Sequence, residues 1–307
     1  MNRPPIVAIV GPTAAGKTAL SLALAETLPI EIVSVDSRQV YRGMDIGTAK
    51  PTPSQQAQVP HHLIDVADPR REFSLAEYLA LARTAIQGVY QRGRVPLLVG
   101  GTGQYLWALL EAWQVPAVPP DPQLRRELET VAESEGVEAL HRRLAQIDPN
   151  SAERIDPRNV RRVVRALEIY QRTGTPASQL RKRSDSPFRA CIIGLTLPRQ
   201  ELYSRIDRRV DGMMEQGWVQ EVRALLDGGI PRDRPAMSSV GYQELAAYIA
   251  EDTSLEDAIR NTKTATHRYA RHQYAWFRPS DVRIHWLQAD SEAEERAHAL
   301  AEAHVRP

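Results

Sequence analysis

The chain has 307 residues, 42% hydrophobic and 25% charged, enough apolar matter for one or two buried cores, and its formal net charge of +1 offers no global attraction to a polyanion. That balance excludes a disordered chain, and no apolar run approaches the roughly 20 residues that span a bilayer. A cytoplasmic protein without a membrane partner is expected, and the single cysteine, Cys191, excludes an internal disulfide and reads as a buried strand residue.

The first predicted element is the β-like run Ile6 to Val10, followed at once by Gly11-Pro12-Thr13-Ala14-Ala15-Gly16-Lys17-Thr18. This is a complete G-x-x-x-x-G-K-T phosphate-binding loop. Its backbone N–H groups turn toward a diphosphate, Lys17 reaches the outer phosphate and the Thr18 hydroxyl helps to hold Mg²⁺. Leu20 to Leu28 reads as the helix whose N-terminus then faces the anion. A second strand, Glu31 to Val35, ends on Asp36-Ser37-Arg38-Gln39. Asp36 stands at that strand's mouth as a candidate general base, with a role near Mg²⁺ or as a loop cap as the alternatives. His61, His62 and Asp65 follow with spacing too weak for a metal site and read as structural. A third strand, Val95 to Val99, runs into Gly100-Gly101-Thr102-Gly103, where glycine permits close approach to a ligand and Thr102 is placed to donate to phosphate.

The proline-rich stretch Val115 to Pro122 marks a boundary, after which Leu124 to Tyr170 is Arg-, Glu-, Ala- and Leu-rich with helical periodicity. Within it Arg158, Arg161, Arg162 and Arg165 recur at i, i+3, i+4 and i+7, a basic stripe that suits a phosphate backbone or a solvated face. The strand-like Cys191 to Leu197 returns the chain to the sheet, and helices dominate from Glu201 to about Phe277. Among them Arg205, Arg208 and Arg209 offer a guanidinium to a diphosphate, with nearby aspartates as competing partners. The segment His267 to Arg278 interleaves cations with four aromatics, a mixture suited to unstacked RNA bases. Strands alternating with helices predict an α/β fold: a P-loop core with a parallel sheet flanked by helices, residues 1–115 and 187–307, plus an inserted small helical lobe, residues 116–186. The three strand-end loops are expected to converge on one crevice.

Taken together, the blocks Gly11 to Thr18, Asp36 to Tyr41, Gly47-Thr48-Ala49-Lys50-Pro51, Gly100 to Gly103, Arg165-Ala166-Leu167-Glu168 and Val240-Gly241-Tyr242-Gln243-Glu244 resemble those of the tRNA dimethylallyltransferases, the isopentenyl transferase family. They occur in family order over nearly the whole chain. The resemblance implies Mg²⁺-dependent transfer of a dimethylallyl group from dimethylallyl diphosphate to N6 of adenosine-37 in the anticodon stem-loop of tRNAs reading codons that begin with U. It makes Asp36 the base, has Thr13, Lys17, Thr18, Thr102 and one of Arg205 and Arg209 stabilise the departing diphosphate, and implies a monomer. Its tRNA-contacting stretches fall on Asp36, Ser37, Arg38, Gln39, Thr102, Arg125, Arg161, Arg162, Val163, Val164, Arg165, Ser238, Ser239, Val240, Gly241, Tyr242 and Gln243. They continue on Arg271, His272, Gln273, Tyr274, Ala275, Trp276, Phe277 and Arg278. Two residues depart from the family pattern: His272 replaces a permanent cation with a titratable one, and Ala15 stands where serine is more usual. On the loop alone, whose usual occupant is ATP, a nucleoside or small-molecule kinase is the rival reading. A nucleic-acid-binding ATPase is a third, one that leaves Asp36 and Thr102 without roles.

Overall fold

The structure, a computed structural model, describes residues 3–116, 118–180 and 184–306. Short runs rich in Ile, Val and Leu alternate with amphipathic stretches, and the chain order is β1 (Pro5–Val10), α1 (Lys17–Thr27), β2 (Ile30–Ser34), α2 (Pro53–Gln58), β3 (His61–His62), α3 (Leu75–Gln91), β4 (Val95–Val99), α4 (Gly103–Leu110), α5 (Pro122–Glu135) and α6 (Val137–Ile147). It continues with α7 (Pro149–Arg154), α8 (Val160–Thr173), α9 (Ala177–Leu180), β5 (Arg189–Thr196), α10 (Arg199–Glu215), α11 (Trp218–Asp227), α12 (Tyr242–Ile249), α13 (Leu255–Trp276), β6 (Ile284–Gln288) and α14 (Ala293–Val305).

Among the described residues the strands form one six-stranded sheet in the order β3-β2-β4-β1-β5-β6. Every pairing is parallel, with Ala8 opposite Leu98 on one side and Ile192 on the other. The central strands are buried on both faces, with Ile6, Ile9, Val33, Leu97 and Ile193 wholly shielded from solvent, which is why their sequences are continuous apolar runs rather than alternations. Glu31 is a charged exception. Its buried carboxylate accepts bonds from Arg92 Nε (2.9 Å) and Nη2 (2.7 Å) and pairs with His62 at 2.7 Å, and those Arg92 bonds, against the cost of burial, hold it down to about 2. His62 and Asp65 thus have structural partners, the latter an ion pair with Lys50 at 2.5 Å.

The chain divides into two compact units, Met1–Leu110 with Ser186–Pro307, and Glu111–Asp185. The first break follows the end of α4 rather than the proline-rich stretch, because Glu111 already belongs with the second unit, its carbonyl accepting from the Ser184 amide. Ala117 of that stretch and residues 181–183 of the expected lobe lie outside the described residues.

The second unit is a helical cluster built on Leu140, Leu144, Val163, Val164, Leu167 and Ile169. Two buried carboxylates fasten it. Asp148 accepts from the amide and hydroxyl of both Ser151 and Ser178, joining α7 to α9. Glu168, wholly buried, accepts from the Asp121 amide (2.7 Å), from Arg125 Nε (2.9 Å) and from Arg165. Burial alone pushes the Glu168 carboxyl up, but those donors outweigh it and hold it below the usual range.

Candidate active site

Each site loop leaves the carboxyl end of a strand, where a parallel sheet collects its ligands. The loop after β1 turns back at Gly11, whose φ of +135° and whose closeness to the Leu195 carbonyl, 2.4 Å from an added Cβ, leave no room for a side chain. Ala14 takes φ +63° and Gly16 φ +97°, the latter capping α1. Lys17 donates to the carbonyls of Gly11 (3.1 Å) and Pro12 (2.7 Å), so it lies across the loop. Burial first, and then the charge of Arg209, push its ammonium down to about 8, with Asp36 pulling the other way. Ala15 is buried at 1% exposure in the apolar core, so the methyl fits there and a hydroxyl is not needed.

Asp36 follows β2. Its Oδ1 accepts from the amides of Arg38 (2.8 Å) and Gln39 (3.3 Å), the loop-capping role, while the carboxylate still faces the cavity described below. Capping and cavity-facing roles coexist in one side chain. The neighbouring Ser37 amide donates to Thr102 Oγ1 at 3.0 Å, and Thr102 donates to Ser37 Oγ at 3.3 Å. Thr102 therefore turns its hydroxyl toward the Asp36 loop and buttresses it. Tyr269 from α13 lies beside Thr102, and burial pushes its phenol up.

The glycines after β4 correct one expectation. They admit protein rather than ligand: a Cβ on Gly100 would meet the Val35 carbonyl at 2.2 Å, one on Gly101 the Gln273 amide at 1.9 Å, and one on Gly103 the Trp276 side chain at 2.3 Å. Gln273 is the reason for the fit. Its Oε1 accepts from the Thr13 amide (2.8 Å) and its Nε2 donates to the Gly101 carbonyl (3.1 Å), so one buried amide on α13 ties the loops after β1 and β4 together.

These elements enclose a cavity of about 200 Å³. Its lining combines polar residues, among them Thr13, Asp36, Ser37, Arg38 and Arg209, with apolar ones, Ile206, Val210, Met213, Trp218 and Tyr269. Arg209 Nη1 stands 3.5 Å from Thr13 Oγ1, and burial works against the Arg209 charge while Asp36 supports it. Arg205, one turn earlier on α10, pairs instead with Glu201 at 2.7 Å. Of the two arginines, geometry brings only Arg209 to the phosphate loop. Thr18 sits half-buried in the first turn of α1, beside the loop.

The residues expected to meet RNA divide by burial. Arg161, Arg162, Ser238, Gln243, Arg271, His272, Ala275, Trp276 and Arg278 are exposed, and Tyr274 is half-buried with its hydroxyl 2.9 Å from Thr196 Oγ1. Val163, Val164, Tyr242, Gln273 and Phe277 are buried and correct that expectation, their side chains packing inward to support a surface rather than form one; Gly241, with no side chain, is buried too, and Ser239 is buried against the cavity. The basic stripe is likewise shortened, since Arg158 pairs with Asp156 at 2.6 Å and Arg165 is committed to Glu168, as is Arg125 on α5.

Three contributors escaped the reading of the sequence. Met213 and Trp218 line the cavity from helices about two hundred residues beyond the phosphate loop. Glu221, on α11, accepts from the amides of Asp45 (2.8 Å), Ile46 (2.8 Å) and Gly47 (3.3 Å) and from the Tyr242 hydroxyl (2.6 Å). It fixes the loop that brings Gly47 and Thr48 to the cavity. Among the described residues no group of three His, Cys, Asp or Glu side chains is arranged to cage a metal ion. No described helix is long and apolar enough to cross a membrane.

Comparison with known proteins adds the context for this geometry. Residues 39–280 match the IPP transferase family model and residues 4–65 the isopentenyl transferase model. The tRNA dimethylallyltransferase of Thermomicrobium roseum is 53% identical over 277 residues, covering 90% of this chain and 84% of the relative. That of Roseiflexus castenholzii is 55% identical over 274 residues, covering 89% and 90%. Among solved structures, the full-length tRNA isopentenylpyrophosphate transferase of Bacillus halodurans superposes with a TM-score of 0.74 at 43% identity, covering 99% of this chain and 97% of its own. A eukaryotic dimethylallyltransferase solved while acting on tRNA gives a TM-score of 0.79 at 28% identity, covering 98% and 77%.

Proposed function

The chain belongs to the tRNA dimethylallyltransferase family, and from that premise we propose that it transfers the dimethylallyl group of dimethylallyl diphosphate to N6 of adenosine-37 in the anticodon stem-loop of tRNAs reading codons that begin with U. The observation that carries this reading is the mixed lining of the cavity, with phosphate-binding groups at Thr13 and Arg209 beside the apolar side chains of Ile206, Val210, Met213 and Trp218. A diphosphate joined to a short branched hydrocarbon calls for both kinds of group. The relatives are prenyl transferases rather than kinases.

In this reading the backbone amides of Gly11 to Thr18 with Lys17, Thr13 and Arg209 hold the diphosphate. The adenine base leaves its stack so that its exocyclic amine faces the allylic C1. The amine nitrogen attacks C1, the C1–O bond breaks, and its electron pair leaves with the diphosphate. Asp36 accepts the proton released from N6, while Thr102 keeps the Asp36 loop in register through Ser37. The apolar side chains exclude water from the allylic carbon while it carries cationic character. Thr18, half-buried in the first turn of α1 beside the loop, would hold Mg²⁺ through its hydroxyl. When bound, the ion neutralises charge on the leaving group. Exposed Arg161, Arg162, Arg271 and Arg278 supply phosphate contacts to the tRNA, and the site of action is the cytoplasm.

The test is incubation with unmodified tRNA, Mg²⁺ and labelled dimethylallyl diphosphate or labelled ATP. Label enters adenosine-37 from the prenyl donor alone. Label entering tRNA from ATP alone would overturn the reading.

A further inference from the structure

Ile206, Val210, Met213 and Trp218 form apolar lining of the cavity, and the setting of Trp218 is unusual. Along α10 the lining residues run from Arg209, beside Thr13, through Val210 to Met213, which lies about one turn (~6 Å at 1.5 Å per residue) farther along the axis. Trp218, the first residue of α11, follows at 2% exposure. Its indole is pinned by two backbone segments that meet it where only glycine fits. A Cβ on Gly47 would lie 2.1 Å from the indole Nε1, and one on Gly241 would lie 1.9 Å from its Cη2. Tyr242 packs edge-on against the same ring at 5.7 Å.

Both flanking segments are themselves fastened. Glu221, one turn beyond Trp218, holds the amides of Asp45, Ile46 and Gly47 and the hydroxyl of Tyr242. The indole therefore cannot swing aside without breaking this set of bonds or moving backbone, and a closely packed interior resists both. A flexible end wall would yield to a longer chain; a wedged ring does not.

Resting on the donor site proposed above, we propose that Trp218 is the floor of the cavity and restricts the allylic diphosphate to a single five-carbon unit. Glu221 acts as a positioning residue that keeps the floor rigid. Size exclusion by a rigid wall discriminates against added carbons more sharply than a soft pocket, where each methylene changes rates by only about 10- to 200-fold.

The experiment compares transfer to tRNA from dimethylallyl and geranyl diphosphate by the wild type, Trp218→Leu and Trp218→Phe, with circular-dichroism melting and tRNA binding measured on each. Wild type is expected to use the five-carbon donor and to reject the ten-carbon one. In Trp218→Leu the geranyl-to-dimethylallyl ratio of kcat/KM rises at least about tenfold, the scale of one or more methylene clashes relieved, with a smaller rise in Trp218→Phe. Should Trp218→Leu fail to fold, Trp218→Phe carries the comparison, since it keeps an aromatic filling. A folded variant that binds tRNA, transfers dimethylallyl and shows an unchanged donor ratio overturns the proposal and makes Trp218 a packing residue only. Wild type that accepts geranyl diphosphate as readily as the shorter donor also overturns it. Wild type that transfers no prenyl group from either donor is a different failure, that of the donor-site reading, and the proposal falls with it.

Discussion

Buried charge is handled in opposite ways at the phosphate loop and in the helical unit. In the unit carrying the phosphate loop, Lys17 and Arg209 lie close together with only the Asp36 charge to support them, and burial works against both cations. In the helical unit, Glu168 and Asp148 are almost wholly shielded from solvent, yet each collects enough donors to stay ionised. The difference separates function from architecture. Charge left under-compensated at the mouths of strands is waiting for a ligand of opposite sign, whereas charge saturated with hydrogen bonds fastens helices. Substitutions at the phosphate-loop charges and at the saturated carboxylates should therefore fail differently, the first losing chemistry with the fold intact and the second losing the fold locally.

The largest effect is expected at Asp36. Asp36→Asn keeps the caps to the Arg38 and Gln39 amides through its remaining oxygen but removes the proposed proton acceptor. Single-turnover prenyl transfer should fall by about 10²- to 10⁴-fold, with tRNA affinity nearly unchanged. A rate equal to wild type would return Asp36 to the capping role alone. Next comes Glu168→Gln, which leaves Arg125 and Arg165 without a charged partner in Glu168 and should cost about 3–5 kcal/mol of stability in the helical unit. Hydrogen exchange should rise across the 111–185 unit and stay low in β1, β4 and β5. The pH dependence has a fixed sign: the Glu168 carboxyl is held below its ordinary value of 4.5, so its contribution is complete above that value and is lost as pH falls below it. Uniform loosening of both units would break the comparison.

How much of this was legible in the sequence follows the same division. The strands β1, β2, β4 and β5 announced themselves as continuous apolar runs because they are buried on both faces. β6, Ile284–Gln288, carries only one buried residue at the sheet edge and gave no such run, and the two-residue β3 is too short to give any. The phosphate loop and Asp36 are local features, readable because spacing along the chain is their geometry. Trp218, Met213 and Glu221 are not, since they reach the cavity only through the packing of α10 and α11. Gln273 is instructive because a signal was present. Ala258, Thr262, Ala270 and Gln273 share the buried face of α13 at helical spacing. The surrounding cations and aromatics pointed to RNA and outweighed that periodicity.

A smaller effect tests the exposed arginines. Replacing Arg161 and Arg162 with glutamine removes two cations that stand on the solvent side of α8, while Arg165 stays bound to Glu168. Binding of tRNA should weaken, and the slope of log affinity against log salt should become shallower by about one unit for each phosphate no longer neutralised. Both the stability of the helical unit and the single-turnover rate at saturating tRNA should hold. An unchanged salt slope would assign these side chains to a solvated face.

The smallest effect concerns Lys17, and its sign follows from its surroundings. In the free protein the ammonium sits at about 8 because burial and Arg209 disfavour its charge. A diphosphate placed against it supplies the missing negative charge and raises that value, so binding above pH 8 must take up a proton. Donor affinity should accordingly fall as pH rises past 8, by no more than about tenfold per unit for a single linked proton. Calorimetric titration with dimethylallyl diphosphate in two buffers of different ionisation enthalpy, at pH 7.5 and pH 9, above the range in which the donor's own phosphate titrates, reads the uptake directly: small at the lower pH and approaching one proton at the higher. Equal uptake at both would mean that Lys17 keeps its bonds to the Gly11 and Pro12 carbonyls when the donor binds. In that event Arg209 and the loop amides hold the diphosphate without it, and the under-compensated charge in this unit belongs to the guanidinium alone.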